Sequence, residues 1–148
     1  INGVNVFTIS NQSNLELVSD MNFACVCYGI KYKLEYAQKL YNMVQRNTTI
    51  DHKFYVFTDH PNPQQILDGD IFIKQFPRYD LQGWWNKMQL FHPKTALEGT
   101  TLYMDLDVVI MKNIDCFLEV ICAILTTYSV SVIAIKLCNN SIINLEPI

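Results

Sequence analysis

The chain has 148 residues, half of them apolar and 17% charged, with a formal net charge of −3. This length supports one domain with a buried core and is too short for two ordinary domains. The apolar content excludes a disordered or fibrous chain, and the excess of 14 acidic over 11 basic residues excludes the basic footprint of a nucleic-acid binder.

Residues Ile1 to Asp20 are rich in Asn and Ser and are expected to form a peripheral leader, with Met21 as the natural start or the domain boundary. No basic stretch followed by an apolar run opens the chain, so no secretory signal is predicted. From Met21 a regular alternation begins. Asn22 to Tyr28 (NFACVCY) predicts a buried strand ending at Gly29. Lys33 to Arg46 predicts a helix whose apolar face carries Tyr36, Ala37, Leu40, Tyr41 and Val44. Lys53 to Thr58 predicts a second strand, broken by Asp59-His60-Pro61-Asn62-Pro63, and Ile71 to Phe76 a third, ended by Pro77. Trp84 to Phe91 is expected to be helical and to stop before Pro93. Thr101 to Met111 (TLYMDLDVVIM) gives the longest strand pattern. Strands alternating with helices predict an α/β sandwich with a mostly parallel sheet. Ligands bind such sheets at the carboxyl ends of the strands, which directs attention to Tyr28–Gly29, Thr58–Asp59 and the region of Asp105.

The remaining segment is unusual. Val120 to Ile135 carries sixteen residues without a charge. It falls short of the roughly 20 apolar residues of a membrane helix, so no membrane association is predicted. Its Val, Ile, Thr, Ser and Tyr content favours strands. The five cysteines lack C-x-x-C spacing and histidines at zinc-like distances, so a reducing, cytoplasmic location without a disulfide framework is expected. Cys25 and Cys27 are expected to share one buried face of the first strand.

Asp105-Leu106-Asp107 carries the most chemistry. In an extended chain the two carboxylates share a face, with Leu106 packed behind them. Adjacent carboxylates repel, and a divalent cation relieves that repulsion while bridging to phosphate. A strand end capped by solvated acids is the plainer alternative. Asp68-Gly69-Asp70 has the same spacing but the composition of a turn. Trp84 and Trp85 suit stacking on a sugar or base, although at least one is expected in the core. Lys87 fits a solvated face as well as a phosphate contact. His52, His60 and His92 are dispersed and are assigned no metal, and Asn113 to Asp115 is expected to form a turn.

MNFACVCYGIKY, FYVFTD, GWWNKMQLF and LYMDLDVVIMKNID resemble, in order and spacing, segments of bacterial and phage-type glycosyltransferases of the GT-A fold. The resemblance covers Met21 to Leu118, about two-thirds of the chain. It implies a GT-A-like (Rossmann-like) three-layer α/β/α sandwich and metal-dependent transfer of a sugar from a nucleotide-diphospho-sugar, a UDP-sugar by preference, to a hydroxyl of a glycan or other acceptor. It further implies Mn²⁺ or Mg²⁺ at Asp107, with Asp105 near both ribose and metal. Cys27, Tyr28 and Gly29 would contact the nucleotide, Asp59 the base or ribose, and Trp85, Asn86 and Lys87 the donor, with Lys87 near phosphate or sugar. Asn139 to Ile143 resembles the family's acceptor-side segment, whereas Val120 to Ile135 departs from the polar stretch found there. No catalytic base is identified. A truncated or degenerate copy that binds nucleotide without catalysis is the alternative. A phosphatase of the haloacid-dehalogenase type, which also carries D-x-D after an apolar strand, is a weaker match because that motif normally lies near the N-terminus.

Overall fold

The computed structural model describes residues 21–77, 79–95, 97–128 and 132–134. The expected leader (1–20) and the Asn139 to Ile143 segment lie outside the described residues. Strand β1 (Met21–Cys27) is buried at every position, as the central strand of a parallel sheet is expected to be, and its one polar residue, Asn22, donates to the Glu98 carbonyl and the Thr101 hydroxyl. Its side chains divide by parity: Met21, Phe23, Cys25 and Cys27 enter the larger core cluster, while Ala24 and Val26 enter a smaller one on the opposite face. The paired cysteines thus lie together in the core as free thiols.

Helix α1 (Glu35–Asn47) buries Ala37, Leu40 and Val44 against the larger cluster, with Glu35 and Arg46 matching the helix dipole at its two ends. It starts two residues later than Lys33, and Tyr36 of its expected apolar face is 42% exposed. The chain returns through β2 (His52–Thr58) and β3 (Ile71–Lys74). It then crosses to β4 (Thr100–Tyr103), α2 (Asp115–Tyr128) and β5 (Val132–Ala134). The five strands lie in the order β3-β2-β1-β4-β5 and every pairing is parallel. The fold is α/β with a parallel sheet.

The larger cluster holds side chains of both helices, Leu118 and Ile121 coming from α2. The smaller cluster is closed by Phe76 and by Leu90, which comes from a nine-residue 3₁₀ segment, Gly83–Phe91. The covering expected to be an α-helix from Trp84 is therefore the tighter form. Its buried polar residues hold it: the Asn86 amide donates to the carbonyls of Leu81 and Gly83 (3.3 and 3.0 Å), Gln89 donates to Asn86 (2.8 Å), and the Thr95 hydroxyl donates to the Gln89 carbonyl (2.6 Å). These bonds give the buried amides of Asn86 and Gln89 and the buried Thr95 hydroxyl their partners.

Two further expectations are corrected. The strand expected to continue to Met111 stops at Tyr103, and Asp105 opens a turn in which the Val108 amide donates to its carbonyl at 3.2 Å. The charge-free segment from Val120, read as strand-forming, belongs to α2 as far as Tyr128, and among its described residues Val132–Ala134 pairs with β4. Long-range packing overrides β-propensity there, because Leu118 and Ile121 recur at a helical interval against the core. Asp115 begins α2 rather than closing a turn. Its carboxylate receives the Thr48 hydroxyl (2.6 Å), the Thr49 amide (3.0 Å) and hydroxyl (2.7 Å), and the Asn113 amide (2.9 Å). One side chain thus ties the end of α1 to the start of α2.

Candidate functional site

The strand order places the site. The chain moves outward from β1 to β2 and β3, then resumes on the other side of β1 with β4. The loops leaving β1 and β4 therefore diverge from adjacent strands, and an open parallel sheet forms its ligand crevice at that reversal. A cavity of about 410 Å³ lies there. Val26, Tyr28, Lys31 and Tyr32 line it from the end of β1 and its loop, Asp105, Leu106 and Asp107 from the turn after β4, and Trp84 and Lys87 from the 3₁₀ segment.

The β1 loop turns at Gly29, which has φ +60, a left-handed conformation that suits glycine. Its amide donates to both carboxylate oxygens of Asp59 at 3.1 Å, so the residue after β2 fixes the turn after β1. Gly29 and Asp59 are not among the cavity's lining residues. Their shared bond shapes the wall that Tyr28 and Lys31 contribute. Behind that wall, burial and then the charges of Asp59 and Glu35 push the Cys27 thiol up to about 11. Its Sγ donates weakly to the Tyr32 carbonyl at 3.5 Å. A thiol held protonated in this way is no nucleophile at neutral pH.

After β4 the side chains continue to alternate although the strand has ended. Leu106, Val108 and Ile110 are buried in the larger cluster, while Asp105 and Asp107 line the cavity. The two carboxylates thus reach one cavity through a turn, not through the extended strand expected for them. Asp107 is exposed, whereas the Asp105 side chain retains 15% exposure and is engaged. Its Oδ1 accepts the Tyr103 hydroxyl at 2.5 Å and the ammonium of Lys87, whose Nζ also lies 5.4 Å from the centre of the Tyr103 ring. Burial, and then the bond and charge of Asp105, pushes the Tyr103 phenol far up, so it remains a donor at all ordinary pH.

The site residues expected from sequence separate into three groups. Tyr28, Lys87, Asp105 and Asp107 come together in the cavity. Gly29 and Asp59 brace its edge. Asn86 and Trp85 do neither. Asn86 is 5% exposed, spends its amide on holding the 3₁₀ segment and is not among the cavity's lining residues. Trp85 stacks on Trp84 with ring centres 4.0 Å apart and is absent from the lining, which Trp84 supplies instead. Neither indole is in the core, since they are 59% and 51% exposed. The expectation of one buried Trp fails because Asn86, Gln89 and Leu90 take the inward places of the 3₁₀ segment, Asn86 and Gln89 recurring at its three-residue period. Lys31 and Tyr103 join the site in addition to the residues expected from sequence. Strand alternation held the signal for Tyr103, two residues before Asp105, and the carboxyl-end rule held the one for Lys31.

His52 packs edge-on to Phe23, and His60 and His92 accept backbone amides of Asn62 and Lys94, so all three are accounted for by local structure. Among the described residues, no group of three or more His, Cys, Asp or Glu is placed to hold a metal ion by itself. Among them, too, no helix is long and apolar enough to cross a membrane. No protein-family model matches the chain, and no curated protein matches it.

Proposed function

We propose that the protein is a metal-dependent glycosyltransferase of GT-A-like, Rossmann-like architecture, which transfers a sugar from a nucleoside-diphosphate donor to an acceptor hydroxyl. The observation that carries this reading is one cavity, at the reversal of a parallel sheet, lined by two carboxylates and two ammonium groups. Carboxylates alone suit a cation, and ammonium groups alone suit a phosphate. Their combination suits a cation and a diphosphate held together.

The residues present fit a hard divalent cation. Mg²⁺ or Mn²⁺ takes oxygen ligands, and it commonly uses one or two carboxylates while substrate phosphates and water complete the shell. Two carboxylates in a cavity with room for a ligand meet that need. Asp107, exposed, would be the direct ligand, and Asp105, already bonded to Tyr103 and Lys87, the second. When bound, the metal would neutralise charge that develops on the leaving diphosphate.

This chain's own residues would do the rest. Lys87 and Lys31 would contact phosphate oxygens, and Trp84 offers an exposed ring to a sugar or base. The bond between the anomeric carbon and the diphosphate oxygen breaks as the acceptor oxygen bonds to that carbon; the nucleoside diphosphate departs with the electron pair, and the acceptor's hydroxyl proton is released to water. The test is calorimetric titration of UDP with and without Mn²⁺, on wild type and Asp107→Ala. Wild type is expected to bind UDP in a Mn²⁺-dependent manner and the variant to lose that dependence. Unchanged binding by the variant would contradict the assignment. A donor-hydrolysis assay then separates an active enzyme from a nucleotide-binding protein without turnover.

A further inference from the structure

The cavity carries an internal counter-ion. Lys87 and Asp105, 18 positions apart in the sequence, form an ion pair whose side chains are 32% and 15% exposed. The pair is sheltered enough to persist and open enough to exchange with solutes. Lys87 itself stands on a fixed base, because its neighbours Asn86 and Gln89 are buried and hydrogen-bonded within the 3₁₀ segment. Its ammonium can therefore swing on its four-carbon stem while its backbone stays in place.

The charges in the wall set the consequence. Lys31, Lys87, Asp105 and Asp107 balance, two against two. A divalent cation entering alone meets two ammonium groups, one of them already seated on an intended ligand. A diphosphate entering alone meets two carboxylates. When both enter, the ammonium of Lys87 can leave Asp105 for a phosphate oxygen, and the cation and each of the four wall charges then have a partner of opposite sign. Asp105 is not left loose by that exchange, because the Tyr103 hydroxyl still donates to its Oδ1.

We propose that Lys87 is a transferable counter-ion: it occupies Asp105 until a nucleoside diphosphate draws it away, and so makes metal and nucleotide binding mutually dependent. This rests on the reading of the cavity as a metal and nucleoside-diphosphate site. Coupling between two ligands is reciprocal, and typical values run from about five- to about 150-fold.

The experiment measures Mn²⁺ affinity alone, by electron paramagnetic resonance of free Mn²⁺, and again with saturating UDP, on the full chain and its variants. For Lys87→Met we expect Mn²⁺ alone to bind at least about fivefold more tightly than to wild type, while UDP tightens it by much less. Lys31→Met is the control for net charge, since it removes the same charge from the same wall without vacating Asp105. Exchange predicts a clearly larger effect at Lys87. Equal gains in the two variants would reduce the effect to net charge and overturn the proposal, as would unchanged or weaker Mn²⁺ binding by both Lys87→Met and Lys87→Gln. If folded wild type binds neither Mn²⁺ nor UDP, the underlying reading falls and this inference with it. If wild type binds both and the Lys87 variants show no gain, the inference alone fails.

Discussion

Replacing Tyr103 by Phe tests the hydrogen-bonded unit beneath the cavity. The side chain is 3% exposed, and its hydroxyl donates to Asp105 Oδ1 at 2.5 Å, within the short range of charge-assisted O–H···O⁻ bonds. Such a bond contributes about 1.5–3 kcal/mol net. Two features favour the lower end: Phe leaves no unpaired donor of its own, and Asp105 keeps Lys87 and some access to water. The expected loss is therefore about 1.5 kcal/mol, equivalent to about 5 °C in melting temperature for a domain of this size. Urea unfolding of the two proteins should give a lower midpoint with an unchanged slope.

A pH series sharpens the test. Folding raises the Tyr103 pKa, so above about pH 10 the unfolded chain has lost a proton that the folded chain still holds. Stability must then fall with rising pH, by at most about 1.4 kcal/mol per pH unit for this one group. Tyr103→Phe lacks that component, so the gap between wild type and variant should narrow above pH 10. Cys25 and Cys27, whose thiols burial also pushes up, add a slope of the same sign from about pH 9. That slope is common to both proteins and cancels in the comparison. A variant as stable as wild type at pH 7, or a gap that stays constant through pH 11, would refute the reasoning.

Other substitutions test the frame around the site. Gly69 has φ +96, and a Cβ there would lie 2.7 Å from the Tyr41 hydroxyl, which accepts the Asp70 amide. Gly69→Ala should cost about 1–3 kcal/mol in urea unfolding through backbone strain and displacement of Tyr41, and a neutral result would show that this loop has room to adjust. At Asp115 burial works to raise the pKa, but bonds from Thr48, Asn113 and Thr49 outweigh it and hold the carboxyl below its usual range. Its contribution is therefore present above about pH 4 and lost as pH falls through the folded value. Asp115→Ala should lower stability by about 1 kcal/mol at pH 7, solvent screening keeping the figure modest, and the difference from wild type should shrink as pH falls below about 4.

The sequence by itself determined the elements whose residues need only their neighbours. The short apolar run that follows Asn22 specifies β1, because a central strand of a parallel sheet is buried on both faces. Ala37, Leu40 and Val44 mark the inner face of α1, and Asp68-Gly69-Asp70 announces its turn through glycine at positive φ. Alternation also predicted that Leu106 would be buried behind two acids, and it is. The tertiary structure decided the rest, because those facts depend on which distant segments meet. Strand order puts the ends of β1 and β4 side by side and so makes Tyr28 and Asp107 walls of one cavity. The crossing of the 3₁₀ segment turns Asn86 inward and leaves both tryptophans outside. It also brings Lys87 onto Asp105. Periodicity records how a segment faces its core, but the partner of a charged side chain is set by the path of the whole chain.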